Sequence, residues 1–408
     1  MKKLLLSVSL LSLAIADVHA ADVVTDAIKN GKATFQVRPR FEFVDDDGVA
    51  KADPAKAFTV RTVLGYKTAP IEGITGYIEA EDIRALADDY NVPAVQPNAH
   101  FANVIDPEGT AINQAWLAGY GLKLGKQKLI FNNARFIGDV AWRQDDQTFA
   151  ALSYEKAKLL SWLDVQTAYA TKVSMVNSQE ADIRMPVVNL KARTPVGANV
   201  TLFWAGLDGR EAKGLAATAG LIANAGSDKG REYRVVRVDG KKGSFLYDLS
   251  LGQQKRYGDG TVANAPDADY SDIQLGYDFG PVVVKLQQET LEQGFQTPLA
   301  TLHAFNGWAD RFLVTPAGGL VDRNVKFSGK AAGLGLALAL HHFEADTGNT
   351  DFGNEIDASV SKTFTSNWSA MVKVAHFDGS GDIKTGAATA QAYSKDLNKA
   401  WVQIDYKF

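Results

Sequence analysis

The stretch Ala400-Trp-Val-Gln-Ile-Asp-Tyr-Lys-Phe408 reads as one extended strand. Val402, Ile404, Tyr406 and Phe408 share one face; Trp401, Gln403, Asp405 and Lys407 share the other. The same period of two recurs upstream. Phe35, Val37, Phe41 and Phe43 alternate with Gln36, Arg38, Arg40 and Glu42. Phe58, Val60, Leu64 and Tyr66 alternate with Thr59, Arg61, Gly65 and Lys67. Val188, Leu190 and Ala192 alternate with Asn189, Lys191 and Arg193, and Leu334 to Leu340 alternate with Gly335, Ala337 and Ala339. A helix would place its apolar residues three and four apart, so this pattern argues for strands throughout.

Composition agrees. Among 408 residues there are 36 Gly and 13 Tyr but only 12 Pro and 4 Met, which favours strands and turns. Lys plus Arg is 43 and Asp plus Glu is 47, a net charge of −4 that gives no support for nucleic-acid binding. With no Cys, disulfides, thiol catalysis and thiolate-held metals are excluded. No cofactor is expected.

The N-terminus begins with Lys2-Lys3, runs through apolar Leu4 to Ala16, and reaches the small residues of Val18-His19-Ala20. This is the pattern of a secretory signal peptide cleaved after Ala20. No later run is long and apolar enough for a membrane-spanning helix. The expected organisation is a leader over 1–20, a short periplasmic segment over 21–32, and an all-β unit over 33–408.

Strands are predicted over 33–43, 58–67, 74–83, 112–120, 122–130, 147–154, 159–172, 187–194, 200–206, 231–238, 244–255, 270–278, 282–290, 321–328, 333–343, 355–362, 368–377 and 400–408. Trp308 to Val314 is assigned to a long loop, because an additional strand there breaks the alternation of connections. Short connections include Thr68 to Gly73, Tyr120-Gly121, Glu155 to Lys158 and Gly280-Pro281. Long ones include Arg84 to Ala111, Leu207 to Gly230, Leu291 to Leu320 and Gly379 to Lys399. Eighteen strands, with short turns at one end and long loops at the other, predict an antiparallel transmembrane β-barrel of the bacterial outer membrane. Apolar residues would face lipid, and polar residues would line the lumen.

The sequence resembles the alginate export family of eighteen-stranded outer-membrane barrels. The likeness rests on Arg61-Thr-Val-Leu-Gly-Tyr-Lys67, Ile112-Asn-Gln-Ala-Trp-Leu117, Leu124-Gly-Lys-Gln-Lys-Leu129, Asn133-Ala-Arg-Phe-Ile-Gly138, Trp142-Arg-Gln-Asp-Asp-Gln-Thr-Phe149 and Phe305-Asn-Gly-Trp-Ala-Asp310. It implies a channel embedded in lipid and lipopolysaccharide, inserted by the barrel assembly machinery, and monomeric. Phe408 resembles the aromatic terminal signature that this machinery reads.

Alternation places Arg38, Arg40, Arg61, Lys67, Lys191, Arg193, Lys285 and Lys373 on the lumen side, with Glu42, Glu79, Glu81, Glu289 and Asp405. The resemblance adds Lys126, Arg135, Arg143 and Asp146. A basic excess would favour anions. Alternatively, the carboxylates pair with the basic residues and brace the wall. Acidic loop runs such as Asp45-Asp46-Asp47 and Asp88-Asp89 would repel an emerging polyanion, or hold divalent ions with lipopolysaccharide. An exporter of anionic polysaccharide and a small-solute pore therefore stand side by side.

Trp142 to Asp146, following Asn132 to Arg135, reads as an inward loop that forms a constriction, a wall-bound hydrogen-bond network, or both. Glu79 and Glu81 share a face, as a general acid–base pair would, but no other catalytic feature accompanies them. Adjacent His341 and His342 must face opposite sides of a strand, so they cannot hold one metal. Gly226-Ser-Asp-Lys-Gly230 is loop chemistry, not a phosphate loop. The leading expectation is a passive channel without enzymatic activity. The alternatives are a gated or plugged structural or adhesive barrel, and a secreted β-sandwich binding protein or enzyme.

Overall fold

Each alternating stretch forms a strand in the computed structural model, which describes residues 22–48, 52–93, 95–211, 230–258, 267–348, 350–381 and 393–408. The expected leader and the loop segment Gly226-Ser-Asp-Lys229 lie outside the described residues. The strands are β1 (Lys32–Asp46), β2 (Ala55–Lys67), β3 (Thr75–Asp89), β4 (Gly109–Gly119), β5 (Leu122–Gln127), β6 (Thr148–Leu160), β7 (Leu163–Ser174), β8 (Glu180–Arg193) and β9 (Ala198–Glu211). They continue with β10 (Arg231–Lys242), β11 (Phe245–Arg256), β12 (Ala268–Asp278), β13 (Val282–Leu291), β14 (Leu320–Ala331), β15 (Leu334–Glu344), β16 (Asp351–Thr363), β17 (Trp368–Gly379) and β18 (Leu397–Lys407). Each pairs antiparallel with its chain neighbours. β18 pairs with β1 from Gln36↔Lys407 to Asp46↔Leu397, which closes the barrel. Closure gives every strand a partner on both sides, although the short β5 covers only Ala115–Gly119 of β4.

Side chains on the outer face are apolar and open. Leu64 is 59% exposed and Leu251 is 64% exposed, while Trp401 and Arg40 on the inner face are buried. A continuous apolar skin of this extent is unfavourable against water and suits hydrocarbon. Tyr120, Trp162, Phe279, Phe364, Trp368 and Phe408 are exposed at the short-turn end and form an aromatic belt there.

The short turns carry the backbone that tight hairpins need. Tyr120 and Gly121 both have positive φ (56° and 87°), the conformation that matches strand twist. A Cβ on Gly121 would lie 2.8 Å from the carbonyl oxygen of Glu155. One predicted turn is misplaced. Glu155 to Lys158 belongs to β6, and the chain reverses at Ser161-Trp162 instead. The charged run looks turn-like, but pairing with β7 continues across an irregularity between Lys156 and Leu160. At the other end the loops are mostly long; the exceptions include the five-residue link between β7 and β8 and the six-residue link between β15 and β16.

The lumen is not uniformly polar. Phe136 from the loop after β5 packs against Phe203, Tyr233, Tyr270 and Phe295, with ring centroids 5.3–6.3 Å apart. Phe312 packs against Phe343 at 4.5 Å and stacks on Tyr393 at 5.4 Å. These clusters give two long loops an apolar core inside the barrel.

Candidate functional site

Two loops cross the lumen and meet. One spans 128–147, between β5 and β6; the other spans 292–319, between β13 and β14. Ile137 and Leu299 form a parallel bridge between them. The Gly138 N–H donates to the Leu299 carbonyl at 2.9 Å, and the Thr301 N–H donates to the Ala134 carbonyl at 3.0 Å. The Gln147 amide donates to the carbonyls of both Gly138 (2.7 Å) and Leu299 (3.0 Å). A non-regular backbone can sit at this depth only if its polar groups are satisfied, and these bonds do that.

The first loop is tied to the wall formed by β1 to β4. Arg38 pairs with Asp405 at 3.0 Å and donates to the carbonyls of Ala141 and Arg143. Arg40 donates to Gln403 and to the Trp142 carbonyl. Arg61 pairs with both Glu81 and Asp146. Arg143 binds Glu42 at 2.7 Å and Asp106 at 2.9 Å. Lys128 adds a bond to Asp146 at 2.6 Å. Burial pushes the Asp106 carboxyl up, but Arg143 and Arg40 outweigh it and hold the group below the usual carboxylate range. Asp146 follows the same logic, with Arg61 and Lys128 as the offsetting charges. The buried arginines are therefore neutralised in place. Glu79 accepts from Asn113 (2.9 Å) and Gln114 (3.0 Å), so both glutamates of the same-face pair serve this wall.

Arg135 crosses to the other side. It is 1% exposed, binds Glu289 at 2.5 Å and reaches Thr297 and Asn306. Glu289 also accepts from Tyr270 (2.8 Å) and Asn306 (2.7 Å). The stretch Phe305 to Asp310 then shows its logic residue by residue. Phe305 lies under the Arg135 guanidinium at 4.8 Å. Gly307, at φ 84°, has no room for a Cβ, which would lie 2.5 Å from the Glu355 carboxylate. The N–H groups of Trp308 and Ala309 donate to Asp357 and Glu355 on β16.

The Lys373 ammonium closes the layer. It lies 3.7 Å from the ring centre of Trp308 and 4.2 Å from that of Trp142, and donates to His303 Nε2 at 2.6 Å. His303 Nδ1 faces Asp310 at 2.7 Å, and Lys399 donates to the second Asp310 oxygen at 2.9 Å. An imidazole that accepts at Nε2 and donates at Nδ1 is neutral. Burial accordingly drives its pKa down to about 3; Asp310 opposes this shift and Lys373 adds to it.

Above the layer lies a pocket lined largely by apolar side chains, among them Ile105, Val140, Val176 and Leu313, with Arg143 and the ion pairs Arg311–Asp46 and Lys399–Asp310 also in its lining. On the short-turn side, Lys67, Lys191 and Lys285 take inward positions. Among the described residues, no carboxylate lies within ion-pair distance of these three. Arg193 does pair, with Asp164.

The residues placed by alternation fall on the inner face, and Arg135, Arg143 and Asp146 lie in the inward loop. Lys126 does not join them. It shares the outward parity of Leu122 and Leu124 on β5, which are 49% and 60% exposed. Its resemblance-based placement fails because Lys123, Gly125 and Gln127 take the inward positions. His341 faces inward to Asp322 (2.8 Å), and His342 is exposed beside Asn354, so the two do part. Asp106, His303, Asp310, Lys399, Glu355 and Asp357 are site residues that alternation did not single out. The aromatic residues at inward positions, Tyr233, Tyr270, Phe343 and Trp401, were the readable sign that something packs inside.

No family model matches the chain, the alginate export family included, and no curated protein matches it significantly. Solved structures do match. Acinetobacter baumannii OccAB2 is similar at TM-score 0.69 and 14% identity, over 94% of this chain and 99% of that one. OccAB3 of the same organism gives 0.67 and 12%, over 93% and 100%. Pseudomonas aeruginosa OpdK, solved with vanillate, gives 0.65 and 12%, over 93% and 99%. At this identity the likeness carries the fold alone: a closed, eighteen-stranded antiparallel barrel.

Proposed function

We propose that the chain is a passive channel of the bacterial outer membrane for small hydrophilic solutes, with no chemistry of its own. The two-loop layer is its selectivity element. The observation that carries this reading is the layer itself: two loops bound wall to wall narrow an otherwise wide eighteen-stranded lumen. A long polyanion would have to pass a layer whose arginines are already neutralised, so a small solute is favoured over alginate or another polysaccharide.

The same features favour a modest preference for anions. Lys67, Lys191 and Lys285, none of them in an ion pair among the described residues, add positive charge at one mouth. The pocket above the layer, apolar with ion-paired groups in its lining, suits a small amphipathic solute. OpdK was solved with such a compound, vanillate.

Single-channel conductance in a planar bilayer, with the reversal potential under a KCl gradient, tests the reading. Small steady conductance steps with anion preference are expected. Folded protein that passes no current would refute the open-channel reading and leave a plugged structural barrel.

A further inference from the structure

Residues 22–29 form a helix just ahead of β1. At about 100° per residue, Val23, Val24, Ala27 and Ile28 fall within an arc of roughly 140°, while Asp22, Thr25, Asp26 and Lys29 take the opposite side. Ala27 is buried, whereas Val23, Val24 and Ile28 remain 47%, 46% and 54% exposed. Ala27, inside the apolar arc between Val23 and Val24, thus meets protein, while the residues around it stay about half open.

The helix is fixed to the barrel's short-turn rim. The Ala69 N–H donates to the Ala27 carbonyl at 2.9 Å. The Tyr66 hydroxyl donates to the Ile28 carbonyl. Gly31 passes so close under Tyr66 that a Cβ would strike its hydroxyl. Tyr66 lies on the outward parity of β2, in line with Leu64 and paired across from Ile78 on β3, both exposed. Phe35, Tyr406, Phe408 and Trp368 form a chain of ring contacts on the same belt. The helix therefore sits at the outside of the wall, level with the aromatic belt, not across the lumen.

We infer that this helix is an interfacial anchor, with Val23, Val24 and Ile28 seated in the phospholipid leaflet at the short-turn end. The argument is continuity: the apolar arc extends the lipid-facing skin at the depth where aromatic rings meet headgroups. The acidic and basic residues of the other arc stay in water. A second copy of the chain or a soluble partner on this face would give a different result in the test below.

The inference rests on the membrane reading of the barrel, so the experiment separates the two. The chain has no cysteine, which makes each single-cysteine variant uniquely labelled. Val24→Cys, Ile28→Cys, Thr25→Cys, Lys29→Cys and Leu64→Cys carry a nitroxide in vesicles of phosphatidylethanolamine and phosphatidylglycerol. Collision with oxygen, which concentrates in lipid, is compared with collision with a water-soluble nickel chelate. Labels at 24 and 28 should favour oxygen, as at 64, and labels at 25 and 29 should favour nickel. Equal nickel access at all four helix positions would overturn the anchor. Shielding of 24 and 28 from both reagents would also overturn it, by placing the face against protein. Nickel access at 64 would overturn the membrane reading beneath it as well.

Discussion

Replacing Glu289 with alanine tests whether the loop layer sets the pore. The carboxylate accepts from Arg135 at 2.5 Å, Asn306 at 2.7 Å and Tyr270 at 2.8 Å, and all three donors are at most 5% exposed. Removing one partner of a buried ion pair costs about 3–5 kcal/mol, because the remaining charge stays dry and uncompensated. The two neutral donors add to this, though not additively. Arg135 can regain water only if the loops separate, because Ile137 two residues on holds the bridge to Leu299. The cost therefore falls on the layer rather than on the strands. Even the lower figure shifts a closed–open equilibrium by about 10²-fold. Single-channel recording should show larger, noisier conductance with open states raised by about that factor. Glu289→Gln, which keeps an acceptor, should fall between this variant and the wild type. A folded Glu289→Ala barrel with unchanged conductance and noise would refute the claim that this pair holds the layer.

Other outcomes follow from the same geometry. Gly307→Ala places a methyl against the Glu355 carboxylate at a positive φ, a cost of about 2–4 kcal/mol. It should loosen the same loop, read as added conductance noise and a lower transition temperature. His303 has a folded pKa of about 3 against an ordinary 6.5. Its contribution to stability is therefore complete above about pH 6.5 and is lost as pH falls towards 3. Thermal scans between pH 7 and pH 4 should show that loss, and His303→Gln should flatten it. Replacing Lys67, Lys191 and Lys285 together by glutamine should move the reversal potential towards cations without changing the melting temperature. That shift should shrink between about 0.1 M and 1 M KCl, as the screening length falls from about 10 Å to about 3 Å.

The strands were legible because each must show one face to lipid and the other inward, and a period of two survives any register. Strand number and the alternation of short and long connections follow from it. Ends were less legible: β1 runs to Asp46 and β3 to Asp89, because acidic residues near the rim still pair their backbones. The candidate site was half legible. Arg38, Arg40 and Arg61 are fixed by strand parity. Their partners Asp106 and Asp146 come from loops, where position follows no period. The stretches 133–138 and 142–147, the second read as an inward loop, lie in the crossing layer, and so does 305–310, which was read only as part of a long loop. Lys126 went astray because β5 is short and offers few residues from which to read parity.

The seam between β1 and β18 also governs how the barrel forms. Every other pairing joins strands adjacent in sequence, and can grow hairpin by hairpin with little entropy to overcome. The seam instead joins residues such as Gln36 and Asp405, 369 positions apart. It cannot exist until the final strand is present, and the cost of bringing such distant ends together precedes any reward from their bonds. Until then the sheet has two live edges and an apolar flank, the combination most prone to pair with the wrong neighbour. Phe408 exchanges two backbone bonds with Phe35 at 3.0 and 3.1 Å, so the last residue of the chain helps to close the pairing with the greatest sequence separation.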